Sequence, residues 1–223
     1  MRAGLSVIVP VLDAADDLPA LLGGLMAGVE AGLIRELILS DGGSRDGAAQ
    51  IAKEVGAVWV AGPASRGGQL RRGADAAEGA WLLFLHADTQ LPEGWVRAVK
   101  AQMADGRPGY FRLTFDSQGI APGIVAGWAN LRARLLCLPY GDQGLLIARD
   151  EYEALGGYQD IPLMEDVAMS RLLGRRLRMM PLALRSSAAR YRRDGWLRRG
   201  ARNMWLLARY LMGSDPERLR KLY

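Results

Sequence analysis

The 223 residues carry 29 Lys and Arg against 24 Asp and Glu, a formal charge of +5, and half of the chain is hydrophobic. That balance suits a globular domain with ample core material and excludes a low-complexity or repeat chain. The basic excess crowds between Arg171 and Lys221, an asymmetry that suits an anionic partner: nucleic acid, a phosphorylated ligand or a membrane surface.

The first apolar run, Leu5 to Val9, breaks at Pro10, short of a signal peptide or membrane span. It is followed by Glu36–Ser40, Ala57–Val60 and Trp81–Leu85, short apolar runs bounded by turn residues, as buried parallel strands are. Helical stretches alternate with them at Asp16–Val29, Asp46–Val55 and Gly68–Ala77. This β-α-β-α-β-α-β order predicts a mostly parallel, Rossmann-like α/β sheet with helices on both faces. Tyr110–Phe115 reads as a strand. Ile120, Ile124, Trp128, Leu131 and Leu135 fall at helical spacing and predict an amphipathic helix. A strand follows at Gly144–Ala148, a short helix at Arg149–Leu155, a helix at Glu165–Leu173, an extended run at Leu177–Leu182 and a final helix at Trp196–Met212. Without a repeat or a Pro/Ser-rich linker, one domain over 1–223 is expected. The lone Cys137 cannot form an internal disulfide and points to a reducing, cytoplasmic setting.

Open parallel sheets bind ligands beyond the carboxyl ends of their strands, so the strand ends are where chemistry is expected. The first leads through Pro10 into "VPVLDAADDLPALL". It holds neither a Gly-x-Gly-x-x-Gly dinucleotide fingerprint nor a P-loop. Asp16 and Asp17 read as helix N-terminal carboxylates, while Asp13 also faces a ligand on this reading. The second ends in "LSDGGSRDG", where Asp41 either bonds a base or ribose or closes its own turn. The third leads to Arg66, glycine-flanked ahead of a helix, which suits a phosphate unless it is a plain surface arginine. The fourth is "LLFLHADTQLPEG", delivering His86 and Asp88. Asp41, Arg66 and Asp88 at one crevice outline a nucleotide-diphosphate site with Mg²⁺ or Mn²⁺ held by a carboxylate and substrate phosphates. "PYGDQG" places Asp142 and Gln143 before an apolar strand, either lining an acceptor pocket or forming a hydrogen-bonded turn.

"LSVIVPVLDAADDLPALL", "ELILSDGGSRDG", "ASRGGQLRRGADAAEG", "WLLFLHADT" and "GGYQDIPLMEDVAMSRLLGR" together resemble glycosyltransferase family 2, of GT-A fold, over about residues 4–195. "YGDQGLLIARDEYEALGGYQDIPLMEDV" resembles a short subgroup labelled the arsenosugar-biosynthesis type. The resemblance implies a nucleotide-binding half over about 1–90, and an acceptor half with a C-terminal amphipathic helix over about 91–223. It implies donor binding by Pro10, Asp13, Asp41 (base), Arg66, His86, Asp88, Arg190 and Arg193. Asp88 matches the metal-binding Asp of the family's Asp-x-Asp motif, and Asp166 the catalytic base of inverting members. Asp142, Gln143 and Glu165 are expected at the acceptor, and Glu165 and Asp166 also read as carboxylates at a helix N-terminus, Glu165 the better of the two. The sequence departs from the family at His86, where an imidazole stands in place of the first Asp of the motif, and it lacks the basic tryptophan motif of processive synthases.

The expected activity is therefore metal-dependent, inverting transfer from a UDP- or GDP-linked sugar to a small-molecule or lipid-phosphate acceptor. His86 favours the alternative of a non-catalytic nucleotide-sugar binder or membrane-associated module. A sugar nucleotidyltransferase would need a glycine-rich basic loop after the first strand, which "VPVLDAADD" lacks. On the last helix Trp196, Gly200, Met204, Leu207 and Leu211 share one face, with Arg198, Arg202 and Arg209 opposite and Trp205 among them. That pattern suits either peripheral contact at the inner face of the membrane or a solvated surface. No nucleic-acid-binding module is present.

Overall fold

A computed structural model describes residues 4–223. Strands β1 (Leu5–Val11), β2 (Ile34–Asp41), β3 (Val58–Ala61) and β4 (Trp81–Phe84) alternate with helices α1 (Leu18–Glu30), α2 (Ala48–Glu54) and α3 (Arg66–Asp75). The second half adds α4 (Trp95–Asp105), β5 (Gly109–Phe115), α5 (Ile120–Leu136), β6 (Leu145–Ala148), α6 (Arg149–Ala154), α7 (Glu165–Leu173) and β7 (Arg178–Ser186). Three helices close the chain: α8 (Ala189–Asp194), α9 (Trp196–Leu211) and α10 (Pro216–Arg220). The seven strands form one sheet in the order β3-β2-β1-β4-β6-β5-β7. β1 pairs in parallel with β2 and β4, and β6 runs antiparallel between β4 and β5.

β1, the second half of β2 and β4 are apolar runs because both of their faces are covered, while β3 at the sheet edge is only partly buried. On one face, Leu5, Val7, Val9, Leu39 and Leu83 pack with Leu18, Leu21 and Leu25 of α1 and Trp95 and Val99 of α4. On the other, Ile8, Ile38, Leu82 and Phe84 pack with Leu70 and Ala74 of α3 and Tyr152, Met169 and Leu173 from the second half. Alternate residues of each strand enter opposite layers, as the pleat requires. Each fully buried Leu or Ile contributes roughly 1.5–3 kcal/mol, so two such layers make the sheet the stable platform on which the loops at its carboxyl edge are held.

Three features differ from the sequence expectation. α4 follows the "LPEGW" turn, and within it only Trp95 and Val99 are buried, too thin an apolar stripe to stand out. α8 and α10 are helices of six and five residues. α5 is helical as its periodicity predicts, but the stripe that revealed it points outward: Ile120, Ile124, Trp128, Leu131 and Leu135 are all exposed.

Candidate active site

Two cavities open on the carboxyl side of the sheet. The larger, about 510 Å³, lies beyond β1 and β4 between Pro10, Asp13 and Asp17, the start of α3, and the arginines Arg190 and Arg220. The smaller, about 110 Å³, lies between the 140–142 turn, the start of α7, and α8 and α9, with Tyr140, Asp142, Asp166, Tyr191, Asn203 and Tyr223 in its walls. Arg66, His86, Asp88, Ser187 and Arg190 line both. The two cavities therefore adjoin at these side chains.

At the junction the groups are held by one another. Arg66 opens α3 behind the N-cap Ser65. Its Nε donates to the buried Glu165 (2.7 Å), and its Nη2 donates to His86 Nε2. An arginine can only donate, so His86 Nε2 carries the lone pair and the ring proton sits on Nδ1. Burial, with Arg66 and Arg190 alongside, pushes the His86 pKa well below its usual range and keeps the imidazole neutral. Burial pushes Glu165 upward and Arg66 opposes it. The packing here leaves no slack. A Cβ at Gly141 would meet His86 Nε2 at 2.6 Å, and one at Gly67 would meet the Gln159 carbonyl oxygen at 1.9 Å.

Asp17 sits at the N-cap of α1 but makes no side-chain capping bond. It keeps the helix N-terminal place expected for it and also lines the larger cavity with Asp88. Burial raises the Asp88 pKa, the negative charge of Asp17 adds to the rise, and Arg190 opposes it. Two carboxylates in one cavity, one of them raising the pKa of the other, are oxygen donors of the kind a hard divalent cation takes. Among the described residues no cluster of three or more His, Cys, Asp or Glu is placed to hold a metal ion; Asp88 and Asp17 could hold a divalent cation only with further oxygens supplied by a ligand. His86 Nε2, committed to Arg66, is not free to join them.

Asp166 occupies the first turn of α7. Its Oδ2 accepts from the Gly141 N–H (2.7 Å) and its Oδ1 from the Val167 N–H (2.7 Å), which fixes the carboxylate at the wall of the smaller cavity. Met164, just before Glu165 and Asp166, has φ = 68°. A bulky residue in the left-handed region costs on the order of 1 kcal/mol, and such strain collects at functional sites. Asp142 lines the same cavity. Its Oδ1 is buried without a hydrogen-bond partner, as are Tyr140 Oη and Asn203 Oδ1. Burial pushes the Asp142 pKa up to about 6, with Arg132 opposing and Asp166 reinforcing the rise. Three polar atoms without partners thus belong to residues in the walls of one small cavity.

The remaining predicted site residues have other places. Pro10 and Asp13 line the larger cavity, and the Asp13 carboxylate also accepts from Arg45 N–H (2.8 Å). Asp41 is 4% exposed and lines neither cavity. It accepts from the Gly43 N–H and from the Ser44 N–H and hydroxyl. Burial raises its pKa, but these donors outweigh it and hold the carboxyl below the usual range. It closes its own turn, the second of the two readings its sequence allowed. Gln143 is fully buried, bonds Phe111 O and Arg132, and braces the 140–143 turn from behind without lining either cavity. Glu165 touches the smaller cavity but its charge is spent on Arg66. Arg193 is 75% exposed and pairs with Asp194 (2.8 Å). Arg190 enters the junction and makes no ion pair among the described residues. Gln69, Ser187, Arg220 and Tyr223 carry no local signal and join the site only through folding.

The sequence matches the family model described as glycosyl transferase family 2 over residues 6–123. No curated protein matches it. Among solved structures the chain is similar to Staphylococcus aureus TarS 1–349, at 15% identity and TM-score 0.63, covering 83% of this chain and 60% of that one. It is similar to glucosyl-3-phosphoglycerate synthase from Mycobacterium tuberculosis in complex with Mn²⁺, UDP and glucosyl-3-phosphoglycerate, at 21% identity and TM-score 0.60, covering 82% and 71%. Mannosyl-3-phosphoglycerate synthase from Rubrobacter xylanophilus aligns at 15% identity and TM-score 0.55, covering 86% and 75%. These likenesses show a shared GT-A fold, and the chain spans about 60% of the length of the TarS structure it matches.

Proposed function

The chain belongs to glycosyl transferase family 2, and from that premise we propose that it moves a sugar from a UDP- or GDP-linked donor in the larger cavity to a hydroxyl of a small acceptor in the smaller one. The carrying observation is the junction: Asp88 and Arg190 border both cavities, and Asp166 faces the smaller one across them. TarS has been crystallised with UDP and with UDP-GlcNAc, and glucosyl-3-phosphoglycerate synthase with UDP and Mn²⁺, which supports a uridine donor and a divalent cation. The 140–167 segment supports the arsenosugar-biosynthesis type, and the acceptor half the region beyond residue 90.

On this reading the donor's diphosphate lies at the junction, against Arg190 and Arg66. Asp88 and Asp17 would hold a divalent cation, which would supply neutralisation of the charge on the departing diphosphate. The acceptor oxygen bonds to the anomeric carbon as the bond from that carbon to the diphosphate oxygen breaks. The hydroxyl proton passes to the Asp166 carboxylate, held open by the Gly141 and Val167 N–H groups. Attack from the face opposite the leaving group inverts the anomeric centre. Positioned base catalysis of this kind is worth roughly 10²–10⁴-fold in rate. Asp142, Tyr140 and Asn203 would hydrogen-bond the acceptor's other hydroxyls.

Thermal unfolding with UDP and GDP, with and without Mn²⁺, followed by nucleotide release from sugar-linked donors, tests the reading. Asp88→Asn should remove the Mn²⁺-dependent shift. Asp166→Asn should keep it and lose turnover by about 10²-fold or more. If neither nucleotide shifts the midpoint, or both variants turn over as the parent does, the assignment falls. A second reading, a nucleotide-sugar binder without chemistry, is favoured by His86 and predicts the Mn²⁺-dependent shift with no release from any donor.

A further inference from the structure

Half of the large exposed apolar side chains of the described residues lie on two helices. On α5 these are Ile120, Ile124, Trp128, Leu131, Leu135 and Leu136, between 46% and 83% exposed. The first five repeat at helical spacing down one side. On α9 they are Leu197, Met204, Trp205 and Leu211, with the exposed Ala201 and Ala208 completing the Leu197–Leu211 stripe. The helices pack together where Gly200 faces Val125, so both stripes rise from one two-helix unit. α5 and α9 together contain six arginines and no Asp or Glu. Arg134, Arg198 and Arg209 are exposed, and Arg209 lies over the Trp205 ring at 5.4 Å. Of the acidic residues nearby, Asp194 is paired with Arg193, Arg199 and Arg202, and Asp116 with Arg192; the exposed Asp215 and Glu217 lie at the start of α10.

A soluble surface rarely keeps so many large apolar groups in one place without a partner. A second copy of this chain is a poor occupant, because a two-fold interface would set an acid-free, arginine-bearing face against itself. An anionic bilayer satisfies both halves of the pattern. Apolar stripes enter the acyl boundary, guanidinium groups meet headgroup phosphates, and Trp128 and Trp205 suit the headgroup level. We propose that the α5–α9 surface docks on an anionic lipid bilayer. No helix among the described residues is long and apolar enough to cross a membrane, so both helices lie in the interface plane. The other face of α9 supplies Asn203 and Leu206 to the smaller cavity, and docking therefore brings that cavity beside the lipid. The inference rests on the surface alone and stands whether or not the transferase reading does.

Co-sedimentation of the full chain with phosphatidylcholine vesicles, with and without phosphatidylglycerol, tests it. The chain should pellet with phosphatidylglycerol vesicles at low salt and be released as salt rises. The triple variant Trp128→Ser, Leu131→Ser, Leu135→Ser should stay in the supernatant while still unfolding cooperatively, since the three side chains are 46–68% exposed. Arg134→Gln, Arg198→Gln and Arg209→Gln should each weaken binding by roughly fivefold at low salt. Parent protein left in the supernatant with phosphatidylglycerol vesicles at low salt overturns the proposal. So does a solution dimer, seen by light scattering, that the triple variant splits.

Discussion

Asp17 and Asp88 show how one side chain sets the chemistry of another. Each lines the larger cavity, and burial and the Asp17 charge together raise the Asp88 pKa. A raised carboxylate holds its proton at a pH where an ordinary one is ionised, so protons compete with a cation for it. Mn²⁺-dependent nucleotide binding should therefore weaken as pH falls, starting above the usual carboxylate range. Asp17→Asn should lower the plateau affinity and move that acid limb to lower pH, because one like charge is gone. Calorimetric titration of Mn²⁺ and UDP across pH checks both. An acid limb that stays in place in Asp17→Asn refutes the coupling. His86 is held neutral by burial, with Arg66 and Arg190 adding to the effect.

At the scale of elements, the contact between α3 and the loop before α7 decides the crevice. Arg66 and Glu165 open these two helices and join them by an ion pair of 2.7 Å. Gly67 lies against the Gln159 carbonyl, with no room for a methyl group. On helix propensity alone Gly67→Ala would stabilise by about 1 kcal/mol. Here the added carbon must push backbone from backbone, and the expected result is a loss of roughly 1–3 kcal/mol with weakened nucleotide binding. Denaturant unfolding gives the sign. A gain in stability would mean the contact is looser than it stands.

For the whole molecule, the buried Asp142 ties stability to pH. Its pKa in the folded chain is about 6, above the roughly 4 expected when unfolded. The folded state then binds its proton more tightly. The stability this contributes is complete below about pH 4 and is lost as pH rises through about 6. His86 acts with the opposite sign, since its pKa is depressed: stability falls as pH drops below the usual histidine range. Comparing parent and variant isolates the first effect. Asp142→Asn should be more stable than the parent by about 1–2 kcal/mol at pH 8, an amount discounted for partial solvent access, and no more stable at pH 4. Equal stability at both pH values would remove Asp142 from the buried, unpartnered position assigned to it.

The chain order of its patterns alone determines the alternating half of the sheet, because a strand covered on both faces must be apolar whatever its neighbours are. The helical spacing of α5 and α9 and the start of α7 at Glu165 are legible for the same local reason. Direction is not local. The stripe on α5 predicts a helix but leaves open whether it faces core or solvent, and folding turns it outward. Carboxylates stand out at the strand ends, yet their rotamers depend on which donors come near. Asp41 is therefore taken by its own turn, while Asp17 is free to face Asp88. The antiparallel β6 between β4 and β5 and the approach of Arg190, Arg220 and Tyr223 to residues near Pro10 and Asp88 arise only in three dimensions. Periodicity and turn chemistry act over a few residues, whereas a site assembled from both ends of the chain exists only once the sheet has brought its carboxyl edge together.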